Sequence, residues 1–149
     1  MNDGFAREIL NWKYSPPYDF YNNTFSEDAL RELLEGSYYA IVRSESELIG
    51  YFCTGKTAQI PIGSQFGAYS KDLLDIGLGM KPDLTGRGYG SEFFRFILGH
   101  LIDTTAYESF RLTVAIFNTR AIALYEKHGF MKSLEFNRSD TKFITMIKK

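Results

Sequence analysis

The stretch richest in chemistry is Asp83-Leu84-Thr85-Gly86-Arg87-Gly88-Tyr89-Gly90-Ser91. Its glycines alternate, so successive backbone N–H groups can face one concavity with no Cβ in the way. An almost wholly apolar run, residues 73–80, precedes it, and a run with helical spacing follows. The free N–H groups and dipole of a helix N-terminus therefore add to the same place, which makes a seat for a phosphate or pyrophosphate. Arg87 supplies charge there and Ser91 a hydroxyl. A Walker loop would end in Gly-Lys-Ser/Thr, where this chain has Gly-Tyr-Gly-Ser. A dinucleotide fingerprint, Gly-x-Gly-x-x-Gly, would need glycine at Ser91 and more chain for a substrate domain. On spacing alone, a nucleotide-binding module and a ligand-free turn both stay open.

With its flanks, Leu78-Gly79-Met80-Lys81-Pro82-Asp83-Leu84-Thr85-Gly86-Arg87-Gly88-Tyr89-Gly90 resembles the acyl-CoA-binding motif of the GNAT superfamily of N-acetyltransferases, Gln/Arg-x-x-Gly-x-Gly/Ala. Gly88 and Gly90 match its two glycines, and Thr85 stands where the motif has Gln or Arg. A second segment strengthens the likeness. Asn118-Thr119-Arg120-Ala121-Ile122-Ala123-Leu124-Tyr125-Glu126-Lys127-His128-Gly129-Phe130 resembles the family's Asn-x-x-Ala-x-x-Leu-Tyr-x-x-x-Gly-Phe. The two motifs cover residues 73–130, and the first 70 residues fit the family's helix–helix–hairpin start loosely.

The resemblance implies a role for each matching residue. The pantetheine arm of acyl-CoA would bond the backbone of Leu78, Gly79 and Met80 as an added strand, in a gap where two parallel strands splay. Gly77 and Gly79 would allow that approach, or would relieve crowding in the fold. The pyrophosphate would rest in the loop of Thr85 and Gly86, on the N–H groups of Arg87, Gly88, Tyr89, Gly90 and Ser91. Asn118 would contact the pantetheine arm, cap a helix, or do both. Tyr125 would protonate the departing thiolate, since a phenol carries its proton at neutral pH. Asp75, the carboxylate within the apolar strand, would accept the amine's proton directly or through water. Burial there disfavours its charged form, although an Asp bonded to its neighbours fits the same position. A backbone N–H near Leu78 would polarise the thioester carbonyl.

The elements that position these residues follow from pattern. Helices are expected over residues 5–12, from Ser26 to Gly36 with stripe Leu30, Leu33 and Leu34, over 88–102 with Tyr89, Phe93, Phe96, Ile97 and Leu101, and over 119–128. Ser26 is a natural N-cap, and Phe25 can staple onto Leu30. Strands are expected at 39–43 and 48–54, joined by a turn at 44–47, and at 73–80, 110–116, 130–136 and 142–147. Residues 55–71 carry three Gly and one Pro and read as a long loop with a short strand at 58–60. The aromatics of 12–21, with two prolines among them, pack the N-terminal segment or line an acceptor pocket. The strand–helix alternation from 73 to 129 implies a parallel or mixed sheet covered by helices. The resemblance implies the fold class α/β (α+β): one GNAT-like domain over 1–149, with a mixed, mostly antiparallel sheet of six to seven strands and about four helices.

Composition bounds the function. The chain has 149 residues, 44% hydrophobic and 16% aromatic, which excludes a disordered protein. Seventeen Lys+Arg face 18 Asp+Glu, so no basic excess grips nucleic acid or an anionic membrane. One cysteine, Cys53, permits no internal disulfide, and two histidines far apart offer little to a metal. No apolar run suits a signal peptide or a membrane span, so a cytoplasmic protein is expected. The function the resemblance implies is acyl transfer, most simply acetyl, from acyl-CoA to a primary amine of a small molecule or of a peptide or protein. Direct attack in a ternary complex is the expected mechanism, with no metal and a homodimer as an option. By the same resemblance, the acceptor site is expected from residues 14–38 and 55–71, closed by the last hairpin. The rival is an acyl-CoA-binding sensor or interaction module without turnover, which could dispense with Tyr125 and Asp75.

Overall fold

A computed structural model describes residues 1–44 and 46–149. The chain divides into two compact units, Met1–Cys53 with Leu78–Tyr89, and Thr54–Gly77 with Gly90–Lys149.

The first unit opens with α1, Asp3–Leu10. Asn2 caps it by accepting the Phe5 N–H at 2.8 Å, and Asp3 suits the positive end of its dipole. Ser26 caps α2, Glu27–Glu35, in the expected way, accepting the Ala29 N–H at 3.0 Å. Ala6, Ile9, Leu10 and Trp12 join Leu30, Leu33 and Leu48 in one apolar cluster. Leu34, expected in that stripe, is 39% exposed, and Phe25 is 40% exposed with the Arg7 guanidinium 5.6 Å from its ring centre. The buried face of α2 is thus narrower than its leucines suggest. Strands β1, Tyr38–Arg43, and β2, Glu47–Thr54, pair antiparallel with a register shift between Ile41 and Val42. The turn expected at 44–47 includes Glu45, which lies outside the described residues.

Strand β3, Leu74–Met80, is shared: its last three residues belong to the first unit and its first four to the second. In the second unit the strand expected at 58–60 is absent. Two 3-10 turns, Gly55–Ala58 and Pro61–Phe66, take up that stretch. Proline starts the second turn and left-handed Gly67 (φ 76°) ends it. Helix α3, Gly90–Thr104, buries Phe93, Phe94, Ile97, Leu98 and Leu101. The stripe is rotated from the expected one, leaving Tyr89 48% and Phe96 58% exposed. Strand β4, Phe110–Ala115, leads to α4, Thr119–Lys127, then to the antiparallel pair β5, Met131–Arg138, and β6, Thr141–Lys148.

The strand order is β1-β2-β3-β4-β6-β5. This is the expected mixed sheet: β3 and β4 run parallel, while β1–β2, β4–β6 and β5–β6 are antiparallel. The parallel register covers Leu74↔Phe110, Asp75↔Arg111 and Ile76↔Leu112. The β4–β6 register, by contrast, continues through Ala115. Among the described residues, then, the β3–β4 ladder ends at Ile76.

Candidate active site

In the first unit, the end of β3 and the loop after it carry most of the expected acyl-CoA contacts. The Lys81 N–H donates to the Ile49 carbonyl at 2.9 Å, which holds the strand end on β2. A 3-10 turn, Pro82–Leu84, reverses the chain. The Thr85 hydroxyl donates to the Pro82 carbonyl at 2.7 Å. The side chain at the motif's Gln/Arg position therefore closes the turn, and the Thr85 backbone N–H donates to the same carbonyl at 3.2 Å. Gly86 (φ 72°) and Gly88 (φ 85°) are both left-handed. A Cβ at Gly88 would meet nothing within 4 Å, so conformation and not crowding demands glycine there. Arg87 and Tyr89 are exposed between and after them.

Gly79 answers to a different demand. A Cβ built there would lie 2.5 Å and 2.6 Å from ring atoms of Tyr51, which packs over the strand. Crowding from a neighbouring strand accounts for this glycine. Gly79→Ala is expected to destabilise the protein by about 1–3 kcal/mol, as overpacking does. The loss should shrink in a Tyr51→Leu background. Urea unfolding of the two single variants and the double variant checks this coupling, and additive losses would refute it. Leu78 and Met80 flank Gly79, and the Met80 carbonyl accepts the Tyr14 hydroxyl at 2.8 Å. Tyr14, grouped in the sequence with packing aromatics, thus fastens the N-terminal segment to the strand expected to meet the cofactor. It occupies part of the accepting capacity assigned there to pantetheine.

In the second unit, Gly90 opens α3, where a Cβ would make ordinary contact with Leu124 at 3.5 Å. Ser91, one residue on, shares a 3.0 Å hydrogen bond with His128 Nε2. Burial holds the His128 imidazole below its ordinary range, with Arg95, Lys148 and Lys127 adding to the effect. Asn118 caps α4, its side-chain oxygen accepting the Ala121 N–H at 3.1 Å. Tyr125, on the same helix, is 8% exposed, its ring centre 5.2 Å from that of Phe94 and 6.3 Å from that of Phe130.

Asp75 departs from the picture of a carboxylate among apolar neighbours. It is 3% exposed, and the guanidinium of Arg111, 2% exposed, grips it with two bonds. Nε donates to Oδ1 at 2.6 Å and Nη2 to Oδ2 at 2.7 Å. Gln59 Nε2 donates to Oδ2 at 2.8 Å. Arg111 also donates to the Lys71 carbonyl at 3.1 Å and lies 5.1 Å from the Tyr69 ring centre. The Tyr69 hydroxyl accepts the Ile60 N–H and bonds Thr113, and burial raises its ionisation above the ordinary phenol range. Of the two readings of Asp75, the contacts are those of a carboxylate bonded to its neighbours, Arg111 and Gln59. The sequence carried a signal: each of two apolar strands, 73–80 and 110–116, holds one charge of opposite sign to the other within its buried stretch.

A mixed sheet whose parallel strand runs into a left-handed glycine loop and a helix N-terminus is the architecture of acyl-CoA-dependent N-acetyltransferases. The acetyltransferase (GNAT) family pattern matches residues 6–130, and the chain belongs to that family. No curated protein matches it. Among solved structures it is similar to a spermidine N-acetyltransferase from Vibrio cholerae in complex with CoA and spermine. The two share 18% identity and a TM-score of 0.73, over 99% of this chain and 91% of that one. A chimera of the Vibrio cholerae enzyme gives 19% identity and a TM-score of 0.70, over 99% and 91%. A GNAT-family acetyltransferase from Bacillus anthracis gives 15% and 0.63, over 95% and 81%. Among the described residues no helix is long and apolar enough to cross a membrane, and no His, Cys, Asp or Glu cluster could hold a metal ion.

Proposed function

We propose that this chain transfers an acetyl group from acetyl-CoA to the primary amine of a small molecule by direct attack in a ternary complex. The observation that carries the reading is the loop in which Gly86 and Gly88 are both left-handed before α3. Left-handed glycines carry no Cβ to screen the neighbouring N–H groups, and a helix N-terminus follows directly along the chain, a combination that suits a pyrophosphate. In this reading the N–H groups of Arg87, Gly88, Tyr89, Gly90 and Ser91 bind it. The backbone of Leu78, Gly79 and Met80 pairs with pantetheine, Asn118 contacts the same arm, and the Leu78 N–H polarises the thioester carbonyl.

The amine nitrogen attacks that carbonyl, and the tetrahedral intermediate collapses by breaking the C–S bond. Tyr125 gives its proton to the leaving sulfur. Asp75 would have to surrender a charge-assisted bond to Arg111 to act as a base, so the amine's proton is assigned to water. Asp75 enters as the partner of Arg111. The spermine bound in the Vibrio cholerae structure makes polyamines the first acceptors to try.

Thermal unfolding with acetyl-CoA, with ATP and NAD as controls, tests the donor half. At about 100 times its dissociation constant acetyl-CoA should stabilise by about 2.7 kcal/mol, raising Tm by several degrees. An equal shift with ATP, or none with acetyl-CoA, would overturn the reading. Thiol release in the presence of candidate amines then tests transfer.

A further inference from the structure

The Ser91–His128 contact joins the first turn of α3 to the residue that ends α4, and the transfer chemistry above makes no use of it. Ser91 Oγ and His128 Nε2 are 3.0 Å apart, both side chains are half-buried, and the His128 ring meets Phe94 edge-on at 5.2 Å. A hydroxyl has one proton to give. If Nε2 is bare, Ser91 donates to it and turns lone pairs toward whatever lies over the helix N-terminus. If Nε2 carries hydrogen, it donates to Ser91 and frees the hydroxyl proton.

We propose that His128 is a positioning residue for acyl-CoA binding: its Nε2–H donates to Ser91 Oγ, so that the Ser91 hydroxyl donates to the pyrophosphate. The proposal rests on the acetyl-CoA reading above and adds to it what sets the direction of one donor. Imidazolium always carries hydrogen at Nε2, so protonation enforces the binding orientation and brings a positive charge one residue away from the anion. The cations facing the ring are Arg95 from α3, Lys148 from β6 and Lys127 from α4 itself. They oppose its protonation in the free protein, and a bound pyrophosphate offsets them. Binding of coenzyme A and uptake of a proton at His128 are therefore linked, and affinity rises as pH falls through the titration of His128.

The test is calorimetric titration of the full chain with coenzyme A between pH 5.5 and 8, for the wild type, Ser91→Ala and His128→Gln. The ligand's own phosphate titrates identically in all three and cancels in their ratios. Ser91→Ala should bind about tenfold more weakly at low pH, the scale of one hydrogen bond to a charged group, and converge with the wild type at high pH. His128→Gln keeps an N–H donor at the same reach and should restore the tight state without the wild type's pH slope. NMR of the His128 ring in the wild type gives a second readout independent of either variant: its titration should move to higher pH on adding coenzyme A. Parallel affinity profiles for all three proteins, or a His128 titration unmoved by bound coenzyme A, would overturn the proposal and leave the acetyl-CoA reading intact. Failure of the wild type to bind coenzyme A at any pH would overturn both.

Discussion

Tyr125→Phe is expected to lower kcat by about 10²- to 10³-fold, the usual range for loss of a general acid, while KM for acetyl-CoA stays within about twofold. The expectation follows from what the substitution removes. Tyr125 is almost buried, with its ring set among those of Phe94 and Phe130. Phenylalanine keeps those ring contacts and loses only the hydroxyl, so the change in folding stability should stay below about 1.5 kcal/mol. Without that proton the departing sulfur leaves as a bare thiolate, and the loss appears in the chemical step and not in binding. Single-turnover measurement of thiol release, with acetyl-CoA saturating, is the direct check. A variant that releases thiol at the wild-type rate would remove Tyr125 from the mechanism.

The second large effect concerns stability. Asp75→Asn keeps the shape of the side chain and strands the Arg111 guanidinium, itself 2% exposed, without a counter-charge. Removing one partner of a buried ion pair costs about 3–5 kcal/mol, which lowers Tm by roughly 10 °C for a chain of this size. The cost arises from the charge left behind. The double variant Asp75→Leu with Arg111→Met should therefore be more stable than Asp75→Asn alone. Thermal and urea unfolding of both proteins decides the matter. An Asp75→Asn protein that unfolds like the wild type but has lost its activity would return Asp75 to the role of base.

These two residues show where a sequence is legible and where it is not. Tyr125 stands out because it belongs to a local pattern, Asn118 to Phe130, that folds as one cap, one helix and one turn. The cap on Asn118 and the left-handed Gly129 (φ 91°) were readable from residue type, since few other residues suit those positions. The same is true of Gly86 and Gly88. Asp75 is set by Arg111, 36 residues along the chain, and by Gln59, 16 residues back. Local pattern carries no distance of that kind. The misread elements have similar causes. The short strand expected at 58–60 gave way to two 3-10 turns through the placement of Pro61 and Gly67. In α3 the 3.6-residue period was right, but several aromatics competed for the buried face, and Phe94 took the place expected of Phe96. Gly79 was readable as a close approach, whereas the identity of what approaches, Tyr51, was not. Tyr14 and Met80, 66 residues apart, meet for reasons only the folded chain supplies.

The division of the chain has a bearing on how it can be made. The first unit is assembled from two stretches, Met1–Cys53 and Leu78–Tyr89. The Tyr14 hydroxyl on the Met80 carbonyl and the Lys81 N–H on the Ile49 carbonyl join them. A nascent chain emerging N-terminus first can fold α1, α2 and the β1–β2 hairpin early. It cannot give that hairpin its third strand until residue 80 has left the ribosome, by which point the segment from Thr54 to Gly77 has been threaded out between. Truncation at Cys53 would therefore yield a fragment with an open sheet edge, a template for pairing between copies. Neither unit is a contiguous cassette that can be cut out or exchanged, and replacing β3, common to both, would alter each of them.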